Sequence, residues 1–121
     1  MSSERGSVSI LVAAAVAMTL VMVMGVADVA RALIARSRAE AVADLAALAA
    51  TQELALPSGL EPGAVAGEYA TRNGAELISC SCSEGSLEAV VTVAVPVDGF
   101  LLPIAGRDVI ARSRAIVDVP T

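Results

Sequence analysis

Residues 8–51 read VSILVAAAVAMTLVMVMGVADVARALIARSRAEAVADLAALAAT, with no proline and no turn cluster to break them. The stretch from Val8 to Ala27 carries no charge. At about 1.5 Å of rise per residue, a helix of that length spans roughly 30 Å, the hydrocarbon thickness of a bilayer. Arg5 closes the apolar run on one side, and Asp28 with Arg31 closes it on the other. The run therefore reads as a membrane-spanning helix. A cleaved signal peptide is the competing reading, because Gly25-Val26-Ala27 offers small residues ahead of a cut before Asp28. Against it, the apolar stretch exceeds the usual signal-peptide core of about 7–15 residues.

The helical pattern continues past the charges. Leu33, Ile34, Ala41, Leu45, Leu48, Gln52 and Leu56 recur mostly at spacings of three and four, and alanine, the best helix former, fills much of the rest. Arg36 and Glu40 attract at a separation of four, while Glu40 and Asp44 repel, each by a few tenths of a kcal/mol. Pro57-Ser58-Gly59 ends the run. The expectation is one helix of about fifty residues, roughly 75 Å long. Its first half is apolar all round, and its second half is amphipathic with a small-residue face.

Downstream the pattern changes. EPGAVAGEYATRN, Glu61 to Asn73, reads as a short helix with proline in its first turn and Asn73-Gly74 as its cap. Glu76 to Cys82 alternates Glu76, Ile78, Cys80 and Cys82 against Leu77, Ser79 and Ser81. Ser83-Glu84-Gly85-Ser86 is a turn signal. Leu87, Ala89, Val91, Val93, Val95 and Val97 share one face of a second strand. A loop from Asp98 to Gly106 carries the apolar block Phe100-Leu101-Leu102-Pro103-Ile104, read as a cap on a small core. A last strand, Arg107 to Val119, sets Val109, Ala111, Ser113, Ala115, Val117 and Val119 against Asp108, Arg112, Arg114 and Asp118. Three sequential strands make an antiparallel meander, covered on one face by helix and wet on the other. The natural cover is the amphipathic half of the long helix plus the short helix. The fold class is α+β, divided as residues 1–6, a leader or tail; 7–27, the membrane helix; 28–56, a helical spine; and 57–121, a small α+β domain.

Charge is split along the chain. Residues 1–38 carry +2 and residues 39–121 carry −7, together the net −5. An acidic outer part with one Tyr, one Phe and no Trp argues against nucleic acid, which needs basic grooves and stacking platforms. There is no His and no Lys, and no Gly-rich phosphate loop or metal cluster is visible, so an enzyme reading fails on inventory. No cofactor and no small-molecule substrate is indicated. Glu76, Glu84 and Glu88 could approach one another across the hairpin, but they read as surface charge. Arg112 and Arg114 read as a solvated strand face.

The two cysteines, Cys80 and Cys82, are too few for a structural zinc site and lack the C-x-x-C redox spacing. Residues i and i+2 of a regular strand lie about 6.5–7 Å apart, the edge of disulfide reach. Reduced thiols on a sheet face, an intrachain bond helped by a bulge, and a bond to another chain all remain open.

RSRAEAVADLAALAAT, Arg36 to Thr51, resembles the stretch after the transmembrane helix in TadE/TadG-like proteins of the Flp (tight-adherence) pilus system. There an Arg-rich turn leads to an Asp and a run of Ala and Leu; here Arg36, Arg38, Asp44, Leu45, Ala46, Ala47, Leu48, Ala49 and Ala50 fill that pattern. ERGSVSILVAA, TRNGAELISC and IARSRA look like the short actinobacterial TadE-like proteins found beside secretion and helicase genes. The resemblance implies a pilin-like layout, membrane lipid and other pilin-like or Tad assembly proteins as partners, and no catalysis. It implies a single-pass protein of the cytoplasmic membrane with its C-terminal domain outside. The positive-inside rule taken alone points the other way, with one Arg before the apolar run and three soon after it. The family's topology is followed here.

The family pattern also suggests processing between Gly6 and Ser7, but the fifth residue after that junction is Leu11, where such substrates carry Glu. That residue can neutralise a neighbour's terminal amine in an apolar filament core, where an unpaired charge is costly. Relatives often carry a further Cys near the short helix; here Cys82 stands beside Cys80 instead. Asp44, Leu45 and Leu48 form a candidate helix-packing seam, since small neighbours allow close approach and Asp44 could meet an Arg of another subunit. The alternative is a solvated Asp44 on a helix that packs only on its own sheet. The expected role is a minor pilin or pseudopilin. The alternatives are a single-pass protein that binds a partner without polymerising, and a secreted protein released by cleavage near Ala27.

Overall fold

The computed structural model describes residues 2–83, 85–97 and 108–118, with side chains from Glu4 onward. Helix α1 runs unbroken from Ser2–Ala55, 54 residues, and α2 spans Pro62–Arg72. Strands β1 (Glu76–Ser81), β2 (Glu88–Val95) and β3 (Val109–Ile116) pair antiparallel in the order β1-β2-β3. This is the α+β layout and the meander expected from the sequence. The apolar block Phe100 to Ile104 lies outside the described residues, as does Glu84.

The way α1 covers the sheet is set by residue size. Ala39, Val42, Ala43, Ala46, Ala47 and Ala50 are buried against Ala66 and Ala70 of α2 and against Ala89, Val91, Val93 and Val95 of β2. Small side chains let the helix backbone lie close to the sheet, so a thin layer of valines completes a close-packed interior. Thr51 is buried in the same layer and donates its hydroxyl to the Ala47 carbonyl at 2.6 Å, which removes the cost of burying it. The large residues of the recurring series point elsewhere. Leu33, Ile34, Leu45, Leu48 and Leu56 are all exposed, as are Ala41 and Gln52.

The hairpin departs from simple alternation. The β1–β2 register slips between Leu77 and Ser79, so that Leu77 opposes Val93 and Ser79 opposes Thr92. Ile78 is the extra residue of this bulge. The slip turns Leu77 inward with Cys80 and leaves Ile78 exposed, which reverses the face expected for both. β2 keeps its period of two as far as Val93, with Ala89, Val91 and Val93 buried, and ends with Ala94 and Val95 both buried. Leu87 lies before the strand and is exposed. β3 keeps it as well: Ala111 is buried, Val109, Ser113 and Ala115 are half-buried, and Arg112 and Arg114 are exposed.

Local ties hold the connections. Gly74, at φ +73, follows the end of α2 in the left-handed region that favours glycine. Arg38 reaches across from α1 and donates to the Asn73 carbonyl at 3.3 Å, which fixes the end of α2 to the long helix. Glu53 clasps the turn after α1. Its carboxylate accepts from the Ser58 amide at 2.6 Å, the Ser58 hydroxyl at 2.8 Å and the Leu60 amide at 3.2 Å.

Candidate assembly and membrane surfaces

The most prominent surface is the outer face of α1. Every residue from Val8 to Met24 is exposed, consistent with a segment whose partner is lipid or another helix. Stepping back from Leu48 in sevens gives Ala41, Ile34, Ala27 and Leu20, so one apolar stripe runs from the spine into the apolar half. Ile34 is 69%, Leu48 63% and Leu56 73% exposed. These values matter because a helix in a self-contained domain normally turns such residues inward. Here alanines hold most of the inner face, with Val42 and the half-buried Leu54, while Leu33, Ile34, Leu45 and Leu48 face out.

The candidate seam residues separate in space. Leu45 and Leu48 lie on the outer stripe. Asp44 sits on the flank and accepts a hydrogen bond from the Ser113 hydroxyl, which ties α1 to β3 of the same chain. Ser113 was not singled out from the sequence, because 69 residues separate the pair.

At the foot of the spine Asp28 is buried, with Arg31 at 3.9 Å. Arg36 pairs with Glu40 at 3.1 Å on an exposed face, as the spacing predicts. Between α1 and the end of β2 lies a groove of about 230 Å³ lined by Arg31, Ile34, Ala35, Arg38, Val95, Pro96 and Val97. On the outer sheet face Arg114 binds Glu88 through two contacts, at 2.7 and 3.0 Å, so this arginine is engaged within the domain. Glu88 is thereby removed from any carboxylate cluster with Glu76.

Cys80 and Cys82 are joined as a disulfide with Cα atoms 5.4 Å apart. The closer approach is possible because Cys82 lies beyond the end of β1. Both pack against the core. Gly6 and Ser7 lie within α1, Gly6 with nothing within 4 Å of the position a Cβ would take. Among the described residues no group of His, Cys, Asp and Glu is arranged to hold a metal ion.

The Glu53 carboxyl is held below its ordinary value of 4.5, first by the Ser58 amide and then by the Ser58 hydroxyl. This clasp is structural and escaped the sequence reading, which saw only a helix stop at Pro57.

A long exposed apolar helix, continued by an alanine-rich spine that packs on a small sheet, is the arrangement against which a family comparison can be judged. Residues 6–53 match the family described as "Putative Flp pilus-assembly TadE/G-like". The α1 segment is similar to the TadE/G-like family. The match takes in the apolar run and the spine and stops two residues short of the end of α1 at Ala55. Comparisons with curated proteins and with solved structures return no match. The likeness to TadE/G-like proteins therefore rests on the helix, and the α2–β3 domain is described by its own geometry.

Proposed function

We propose that this TadE/G-like chain is a pilin-like structural subunit, a minor pilin or pseudopilin, of an Flp-type pilus assembly or secretion machine. Val8 to Ala27 anchors it in the cytoplasmic membrane, 28–56 is the spine, and the domain beyond is displayed on the outer side. The observation that carries this reading is the inverted spine. The small-residue face of α1 holds its own domain, and the large apolar residues Ile34, Leu45, Leu48 and Leu56 face outward in line with the membrane segment. Such a stripe suits a parallel helix of another pilin-like subunit. No catalytic role is assigned. The disulfide of Cys80 and Cys82 supports an oxidising compartment for the domain.

One residue favours a second reading. Leu11, fifth after the Gly6-Ser7 junction, supplies no carboxylate for a neighbour's amine, which suits a single-pass protein that binds partners without polymerising. The test is the mature N-terminus together with co-purification. A start at Ser7, with the chain recovered alongside other Tad components, supports the pilin-like reading. An unprocessed chain in membranes without them supports the second. A start at Asp28 in the medium would overturn both in favour of a secreted protein.

A further inference from the structure

The groove between α1 and the end of β2 adjoins the outer stripe at Ile34, and it holds charged groups that the assembly reading does not use. Its walls hold two arginines, Arg31 and Arg38, seven residues apart on one side of α1. Its other lining residues are Ile34 and Ala35 from the helix and Val95, Pro96 and Val97 from the strand end. Residues 39–121 carry −7, so a groove with two guanidinium groups stands out against its own domain.

Its place along the helix identifies the ligand chemistry. Arg31 lies four residues beyond Ala27, or about 6 Å along the axis, within the headgroup layer that flanks the hydrocarbon by roughly 5–8 Å. Arg38 lies about 16 Å beyond the same boundary by the same rise. Helical side chains lean toward the helix N-terminus, which here is the direction of the membrane. Arg38 therefore leans toward the headgroup layer while one of its donors meets the Asn73 carbonyl at 3.3 Å. A guanidinium has five donors, so an arginine can hold a protein acceptor and a phosphate together. Arg31 stands 3.9 Å from Asp28 in the same region. Arg36 lies on another side of α1, paired with Glu40, and does not line the groove.

We propose that this groove binds the headgroup of an anionic glycerophospholipid from the leaflet that α1 enters. Arg31, level with the headgroup layer, takes the phosphodiester, and Arg38, farther from the bilayer, donates to the outer end of the headgroup. The inference rests on the membrane-anchored reading and adds a defined lipid site to it. Bound lipid would set the height and tilt of the domain over the bilayer.

The test uses the full chain reconstituted from detergent into vesicles of phosphatidylcholine alone or mixed with phosphatidylglycerol. Retained lipid is then counted by native mass spectrometry. The expected result is retention of phosphatidylglycerol in preference to phosphatidylcholine. R38Q should lower that preference about fivefold, the contribution of one arginine near an anionic surface. R36Q should leave it unchanged. P96E, at an exposed rim position that leaves the Arg38–Asn73 contact in place, should lower it as R38Q does. That variant guards against a loss caused only by loosening α2. Equal retention of the two lipids, or an equal loss with R36Q, would overturn the site and leave the anchor standing. Failure of the chain to enter phosphatidylcholine vesicles would overturn the anchor, and the site with it.

Discussion

The two faces of α1 differ in a way that inverts the usual rule for a small domain. The inner face, Ala39, Val42, Ala43, Ala46, Ala47 and Ala50, is buried and small. The outer face, Ile34, Leu45 and Leu48, continued by Leu56 just past the helix end, is exposed and large. Leucine buries more apolar area than alanine and so has more to gain from burial. A helix that turns its alanines to its own core leaves these large side chains uncovered in the single chain. The inner face is specified by closeness, because the sheet approaches the helix backbone. The outer face is free to be selected for a neighbour.

The strongest way to break this contrast is to enlarge the inner face. A46L places three extra carbons where Ala46 is fully buried. It should destabilise the full chain in detergent by about 1–3 kcal/mol, read as a lowered unfolding midpoint. On the outer face, L48A should change that midpoint by no more than about 0.5 kcal/mol, because Leu48 is exposed in the single chain. It should nevertheless weaken recovery with assembly partners. A comparable loss of stability for L48A would mean that the outer face belongs to the domain's own core.

Smaller changes sharpen the seam between helix and domain. S113A removes the hydroxyl that reaches Asp44, with an expected cost of about 1 kcal/mol for a hydrogen bond near solvent. G74A should cost about 1 kcal/mol, since Gly74 holds φ +73 and a Cβ there would come within 3.1 Å of Arg38. Its effect should appear as fraying of α2 in hydrogen exchange.

The smallest effect is the pH response of the Glu53 clasp. Its carboxyl is depressed below 4.5 in the folded chain by the Ser58 amide and hydroxyl. A depressed folded value means that the clasp contributes fully above the unfolded value and fades as pH falls through the folded one. The protection factors at Ser58 and Leu60, exchange taken relative to the intrinsic rate at each pH, should therefore fall as pH drops through the folded value, below 4.5. E53Q should exchange faster at neutral pH and lose most of that pH dependence.

Much of the architecture was legible because it depends on local patterns. The uncharged run from Val8 to Ala27, the stop at Pro57 and the period of two in β2 and β3 each announce an element from nearby residues. Two things were not local. The register slip at Ile78 depends on how β1 meets β2, and a one-residue shift exchanges the faces on either side of it. The pairing of Asp44 with Ser113 depends on the packing of α1 on β3, and neither residue signals the other in the chain. The spine was legible as a periodic helix, but periodicity alone did not say which face met the sheet. Hydrophobicity favours the leucines, whereas close approach favours the alanines, and packing decided for the alanines.

The central claim is that the outer face of α1 is the contact surface for another subunit. The direct measurement is site-specific photocrosslinking in intact membranes, with the probe placed in turn at Leu48, at Ile34 and, as a reference on the outer sheet face, at Arg112. The account predicts protein adducts of another pilin-like subunit or a second copy from Leu48 and Ile34, and none from Arg112. Adducts from Arg112 alone, or no protein adduct from either stripe position, would contradict it.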